Sequence, residues 1–247
     1  MLKRGIAGLV LIVALWGGGV FLFNVPDYLL PSPAAVMARM AFLYENANLL
    51  GHVYVTVMEI FWGFLLGFLA GILAALLFAR FPVSERMSTP LILLLQTAPK
   101  IAIAPLLLLW LGLGPAPKIV LVAIVTFFPV MTGMLSGLRF VNKSYLDLAR
   151  VLKLSPLQRF LHIELPSALP TLFAGATVAT TLAMTAAVIG ELMGANEGVG
   201  YLLSSGQENA DTATVIGMVL LLSLMGWSFY ELFEALRRRM EARFAEG

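Results

Sequence analysis

Few side chains in this sequence could do chemistry, and their surroundings decide what kind. Glu59 and Lys100 each interrupt an apolar run of membrane-spanning length. A charge facing lipid costs several kcal/mol, so such an acid and base need either each other or a water-filled cavity. Glu59 lies about seven residues, roughly 10 Å, from the outer end of its run, and Lys100 about twelve residues, roughly 18 Å, from the inner end of the next. In a hydrocarbon core about 30 Å thick these depths nearly coincide, which predicts an ion pair between them. Three readings of the charges stand side by side: a fixed link that holds two helices in register, a polar lining for a solute path, or snorkelling to the lipid interface. Gln96, Thr181 and Glu191 join them as candidate path residues. Thr181 shares a helical face with Thr177 and Thr185, yet three hydroxyls bonded back to their own helix carbonyls explain that face equally well. Glu191 reads first as a solvated loop acid and second as a contact for a delivered solute or its carrier.

Other chemistries lack their residues. The chain has no cysteine, hence no disulfide and no thiolate ligand or nucleophile. His52 and His162 stand apart from other metal ligands, and the 12 methionines form no cluster with His, so no metal site and no cofactor is expected. A phosphate loop of the G-x-x-x-x-G-K-[ST] type, a serine nucleophile elbow and an H-E-x-x-H helix are all missing from the 247 residues. If this protein moves anything, the energy comes from a partner or an ion gradient.

The elements that would position these residues are membrane spans. Hydrophobic residues make up 60% and charged residues 12% of the chain, whereas charged residues are about a quarter of a soluble domain. Six apolar runs are long enough to cross a bilayer: 5–23, 52–79, 88–111, 118–138, 168–190 and 212–233. Lys3 and Arg4 precede the first as in a signal peptide, but no small-residue cleavage site follows, so it reads as an uncleaved span. Between the first two runs, residues 32–50 suit an amphipathic segment at the outer interface and equally a solvated loop.

In the second run Glu59, Gly63, Gly67, Gly71, Ala75 and Ala79 recur at every fourth position, which puts a stripe of small residues on one helical face for a close neighbour. The third run is broken at Gln96-Thr97-Ala98-Pro99-Lys100, where the lost backbone donor predicts a kink facing the interior. The net charge of +2 is spread over separate loops and leaves no nucleic-acid footprint, so its distribution is what matters. With the N-terminus inside, Lys3, Arg4, Arg80, Arg86, Arg139, Lys143, Arg150, Lys153, Arg159, Arg237, Arg238, Arg239 and Arg243 face the cytoplasm, thirteen of the 16 basic residues. Arg39 and Lys118 fall outside. That bias predicts an all-α, six-span protein with both termini cytoplasmic.

Residues 139–167 form the longest inner loop, and Tyr145 to Pro170 is its charged heart. Asp147, Leu148, Ala149 and Arg150 belong to a short surface helix, and Ser155 caps a second one opened by Pro156. The second is expected to end near Leu165-Pro166. Two short helices and a turn make a rigid knob fit for a groove on a partner.

This loop resembles the coupling loop of ABC importer permeases. An acidic residue, two small residues, a glycine four positions on and an Ile/Val-x-Leu-Pro ending correspond to Asp147, Leu148-Ala149, Lys153 and Ile163-Glu164-Leu165-Pro166. Leu148 is bulkier than the usual alanine. Lys153 takes a left-handed backbone at a cost of about 1 kcal/mol relative to glycine, so the turn is expected to differ in detail. Leu30-Pro31-Ser32-Pro33, the second-run stripe, Pro99 to Phe128 and Glu191-Leu192-Met193-Gly194-Ala195 extend the resemblance over nearly the whole chain, to the nitrate, sulfonate and taurine type. Where sulfonate-like members often carry arginine, Glu59 looks more like members that import thiamine-precursor pyrimidines or riboflavin.

The resemblance implies a type I importer permease without enzymatic activity of its own, in a bacterial inner membrane. A second permease, identical or not, completes the path, two cytoplasmic ABC ATPases grip Asp147, Leu148, Ala149, Arg150, Lys153, Leu154 and Ser155, and an extracytoplasmic binding protein delivers the solute. The alternative is a secondary transporter driven by protons through Glu59. A membrane enzyme has only isolated glutamates in its favour.

Overall fold

The computed structural model describes the backbone of residues 2–245 and the side chains of 11–94 and 96–240, so the expectations for the side chains of Lys3, Arg4 and Arg243 lie outside the described residues. Regular structure among the described residues is entirely helical: α1 (Leu2–Leu22), α2 (Pro33–Asn46), α3 (Leu49–Arg80), α4 (Pro82–Thr97), α5 (Lys100–Leu111), α6 (Pro115–Arg139), α7 (Lys143–Val151), α8 (Pro156–Arg159), α9 (Leu165–Leu192), α10 (Val199–Glu208) and α11 (Thr212–Ala245). A π turn at Phe160–Glu164 joins α8 to α9. Among the described residues, four stretches are long and apolar enough to cross a membrane: Leu49–Arg80, Pro115–Arg139, Pro156–Leu192 and Thr212–Met240. Lys100–Leu111 is a shorter apolar helix, and the described part of α1, Leu11–Leu22, is likewise apolar.

Helix α6 is the shared member of the bundle, packed between α3 and α9. The small-residue stripe of α3 explains one side. A Cβ added at Gly63 would lie 2.5 Å from Val122 Cβ and 2.7 Å from the Ile119 carbonyl, and one at Gly71 would lie 2.8 Å from the Phe127 carbonyl. Gly63, Gly67, Gly71 and Ala75 are buried accordingly, while Ala79, the last of the stripe, is exposed. Along this seam Gly63 meets Val122, Gly67 meets Thr126 and Gly71 meets Val130. The offset is constant, so α3 and α6 run parallel, which the crossing by α4 and α5 between them makes possible. On the other side Gly133 and Gly137 of α6 face Thr171, Ala168 and Gly175 of α9, running antiparallel. Backbones in such contact exclude larger side chains and gain dispersion along their whole length.

Two prolines act in opposite ways. Ala98 is extended (φ −56°, ψ 135°), as the residue before a proline prefers, and this separates α4 from α5. Pro166 has the opposite outcome to that expected from the sequence. The second loop helix does not stop there, because the preceding π turn, closed by Leu165 N–H to the Phe160 carbonyl, leads directly into α9 with Pro166 in its first turn. Proline is tolerated in a first turn, where its missing donor has no partner to lose.

Candidate functional site

Charged groups gather at the end of the bundle that carries α10. Glu59 is 2% and Lys118 5% exposed, and Lys118 Nζ lies 2.5 Å from Glu59 Oε1. The partner expected for Glu59 was Lys100, and the parallel seam explains the difference. Lys118 precedes Val122 by one turn as Glu59 precedes Gly63, so the register that joins the glycines also joins the charges. Lys118 is therefore no outer-loop cation.

Glu191, read from the sequence as a solvated loop acid, is 1% exposed. It accepts hydrogen bonds from the Thr56 hydroxyl (2.6 Å) and the Gly200 N–H (2.6 Å). Thr56 Oγ1 in turn accepts from Val199 N–H at 2.9 Å, and His52 Nδ1 from Gly198 N–H at 3.0 Å. The first N–H groups of α10 thus end on side chains of α3 and α9, in place of the intrahelical partners a helix start lacks. Gly198 sits at φ +114°, and a Cβ there would strike the Glu191 carboxyl. Beside this cluster a hollow of about 550 Å3 is lined by Tyr54, Trp62, Glu59, Lys118, Asn196 and Glu197 among others.

Lys100 sits elsewhere, half-buried at the start of α5, with its Nζ donating to the Gln96 carbonyl at 2.5 Å. Gln96 and Lys100 border a cavity of about 710 Å3 between α3, α4, α5 and α6. Thr181 lies outside both groups, against a third hollow with Thr185, Ser223 and Trp227. Thr177, Thr181 and Thr185 all donate to carbonyls of their own helix, at 2.9, 2.9 and 3.0 Å. The five candidate path residues are therefore not one constellation: Glu59 with Glu191, Gln96 with Lys100, and Thr181 alone.

The opposite end carries the knob. Asn142 caps α7 by accepting from Ser144 N–H, and Ser155 and Gln158 form a reciprocal capping box on α8. Helix α7 ends in a Schellman turn: Leu154 N–H reaches the Ala149 carbonyl and Lys153 N–H the Arg150 carbonyl, each at 3.0 Å. Lys153 takes the left-handed position at φ 51°. The glycine-type turn expected to change is retained, with a lysine bearing its strain. Ala149 is 2% exposed and packs inward, whereas Leu148, Val151, Leu152 and Leu157 are exposed. Since Leu148 points outward, its bulk does not disturb the knob. Asp147 and Arg150 pair at 2.6 Å across one turn. At the base, Glu164 forms ion pairs with Arg159 at 2.7 Å and Arg80 at 3.5 Å, and Arg139 pairs with Glu85.

Residues 67–246 match the family described as the binding-protein-dependent transport system inner membrane component. The chain belongs to this family. Among relatives of this transport-system subunit, a probable ABC transporter permease protein of Haemophilus influenzae is 36% identical over 91% of this chain and 90% of its own. The riboflavin transport system permease protein of Chloroflexus aurantiacus is 33% identical over 93% of this chain and 86% of its own. A putative aliphatic sulfonates transport permease protein of Bacillus subtilis is 30% identical over 90% and 81%. The fold is likewise that of a solved importer: an inward-facing structure of the MetNI methionine ABC transporter superposes with a TM-score of 0.67 at 19% identity, covering 78% of this chain and 95% of the other. Members of the transport-system family are transport subunits rather than enzymes, which matches the missing catalytic motifs.

Sequence reasoning missed Thr56, Lys118 and the Gly133–Gly137 pair of this permease-family chain. The glycine pair was legible as a G-x-x-x-G spacing. Lys118 was legible only once the second and fourth spans were aligned as parallel neighbours.

Proposed function

We propose that this chain is the permease subunit of an ATP-driven importer, with its α7–α8 knob as the grip for a cytoplasmic ATPase. The observation that carries this reading is the knob's construction. Two capped helices and a Schellman turn fix its shape, Ala149 anchors it, and its large apolar side chains are turned away from the rest of the chain. An exposed apolar patch on a rigid support is suited to a partner. Asp147, Leu148, Ala149, Arg150, Lys153, Leu154 and Ser155 form the coupling element, two ATPase subunits and a second permease complete the assembly, and a binding protein presents the solute at the α10 end.

In this reading the spans are α1, α3, α4 with α5, α6, α9 and α11, with both termini and the knob in the cytoplasm of a bacterial inner membrane. The basic residues at the knob end support this orientation. The apolar run 52–79 lies within α3, and the amphipathic segment 32–50 is α2 lying at the outer interface. Glu59, Gln96, Lys100, Thr181 and Glu191 remain candidates for the path. The solute is a small organic molecule, a heteroaromatic vitamin precursor of the pyrimidine or riboflavin kind or a small anion such as sulfonate, taurine or nitrate. The relatives named for riboflavin and sulfonates support that range.

The test uses Leu148→Glu and Val151→Glu, exposed positions where a charge leaves the fold intact. Membrane insertion is expected to persist while co-purification of the ATPase and ATP-dependent uptake are lost. Uptake that stays coupled to ATP in both variants would overturn the reading.

A further inference from the structure

Lys100 is a cation without a carboxylate. The acid expected beside it is held by Lys118, and among the described residues no Asp or Glu oxygen lies within ion-pair distance of its Nζ. One of its three donors is used by the Gln96 carbonyl, which leaves two. The ammonium is half-buried at the border of an apolar hollow, and its two remaining donors can meet an anion there.

The hollow itself has the form of a solute site. Its volume of about 710 Å3 is in the range of small-molecule pockets. Gly67, Ala70 and Ala123 leave room in its lining, Phe127 and Phe128 make it aromatic, and Gln96 and Lys100 supply the polar groups. A second hollow of about 550 Å3 shares Gln96, Phe128, Pro129 and Leu182 with it and continues between α6 and α9 to Thr132, Ser136 and Thr171. The two make one groove from mid-helix toward the knob end.

We propose that this cavity is a binding site on the solute path for an organic anion, with the charged head on Lys100 and the flat apolar body against Phe127 and Phe128. The proposal rests on the permease reading above and narrows its solute to anions with an apolar or aromatic body. The acid that would have argued against an anion, Glu59, is neutralised in its own ion pair.

The experiment measures binding to the purified full chain in phosphatidylcholine nanodiscs by calorimetry, with naphthalene-2-sulfonate as the anionic probe and naphthalene-2-sulfonamide as its neutral counterpart. Saturable binding of the sulfonate is expected, with the sulfonamide weaker by about ten- to a hundredfold, as for loss of one hydrogen bond to a charged group. Lys100→Met is expected to bring the sulfonate down to the sulfonamide's affinity, and Lys100→Arg to retain it. Ala70→Leu, which fills the cavity without touching the charge, is expected to abolish binding of both. Equal affinities for the two probes, or undiminished sulfonate binding in folded Lys100→Met, would overturn the proposal. So would phosphatidylglycerol nanodiscs that occlude the site in a Lys100-dependent way, since the anion would then be a lipid head group. If the ATPase co-purifies but no Lys100-dependent binding is seen, the site falls and the permease reading stands; if the ATPase does not co-purify, the permease reading falls first.

Discussion

Removing Lys118 alone is expected to be far more harmful than removing Lys118 and Glu59 together. At 2.5 Å and an effective dielectric constant of about 20, Coulomb attraction within the pair is about 6–7 kcal/mol. Desolvating two charges costs several kcal/mol each, so the pair as a whole is close to break-even. A single deletion has no such balance. Lys118→Met leaves the Glu59 carboxylate, 2% exposed, with no cation and with Glu191 close by. The expected loss is about 3–5 kcal/mol, the range for stranding one member of a buried pair. Glu59→Leu with Lys118→Met substitutes two apolar side chains of similar length and is expected within about 1–2 kcal/mol of the parent, because replacing a buried pair whole is often neutral.

Reversible SDS-driven unfolding in bicelles measures these differences, and the double-mutant cycle isolates the pair. A coupling of at least about 2 kcal/mol is expected. Losses that simply add, with the double variant as damaged as the sum of the singles, would refute the reasoning that the charges are held by each other. The parallel Gly63–Val122 seam would then be the whole of the α3–α6 attachment at this level.

Two further outcomes follow from the loop and the far end. Lys153→Gly relieves a left-handed lysine at φ 51° and is expected to raise stability by about 0.5–1 kcal/mol with ATP-coupled uptake retained, read as an upward shift in thermal unfolding. Asp211 joins α2 to the start of α11 through Arg39 at 2.6 Å and the Thr214 hydroxyl and N–H. Burial acts to raise the Asp211 pKa, but the Thr214 hydrogen bonds and the Arg39 charge outweigh it and hold it below the ordinary 3.8. A carboxyl with a depressed folded value stabilises fully above its unfolded value, so this tie is present above about pH 4 and fades as pH falls through the lowered value. Unfolding measured from pH 6 to pH 3 is expected to show an acid-side loss that is diminished in Asp211→Asn.

What the sequence made legible was whatever rested on spacing along one helix. The stripe from Glu59 to Ala75 announced a close helical neighbour, the Pro99 break announced a kink that the structure widens into a separation of α4 from α5, and Ser155-Pro156 announced a capped start. Each is a local rule of backbone or side-chain geometry. The misses among the charged groups depended on which helix lay opposite. Depth alone matched Glu59 to Lys100, but depth is one coordinate, and a pair also needs facing sides. Lys118 had the facing side because α3 and α6 run parallel in a fixed register. Glu191 was missed for a related reason: its sequence neighbours are polar, but α10 folds back over it and brings Gly200, while α3 brings Thr56, from 9 and 135 residues away. Lys153 shows the limit of local reasoning from the other direction. The left-handed strain of a lysine is real and small, about 1 kcal/mol, whereas the turn around it is fixed by two Schellman hydrogen bonds and the buried Ala149. Those contacts together outweigh the strain, so the turn forms with a lysine in its left-handed position.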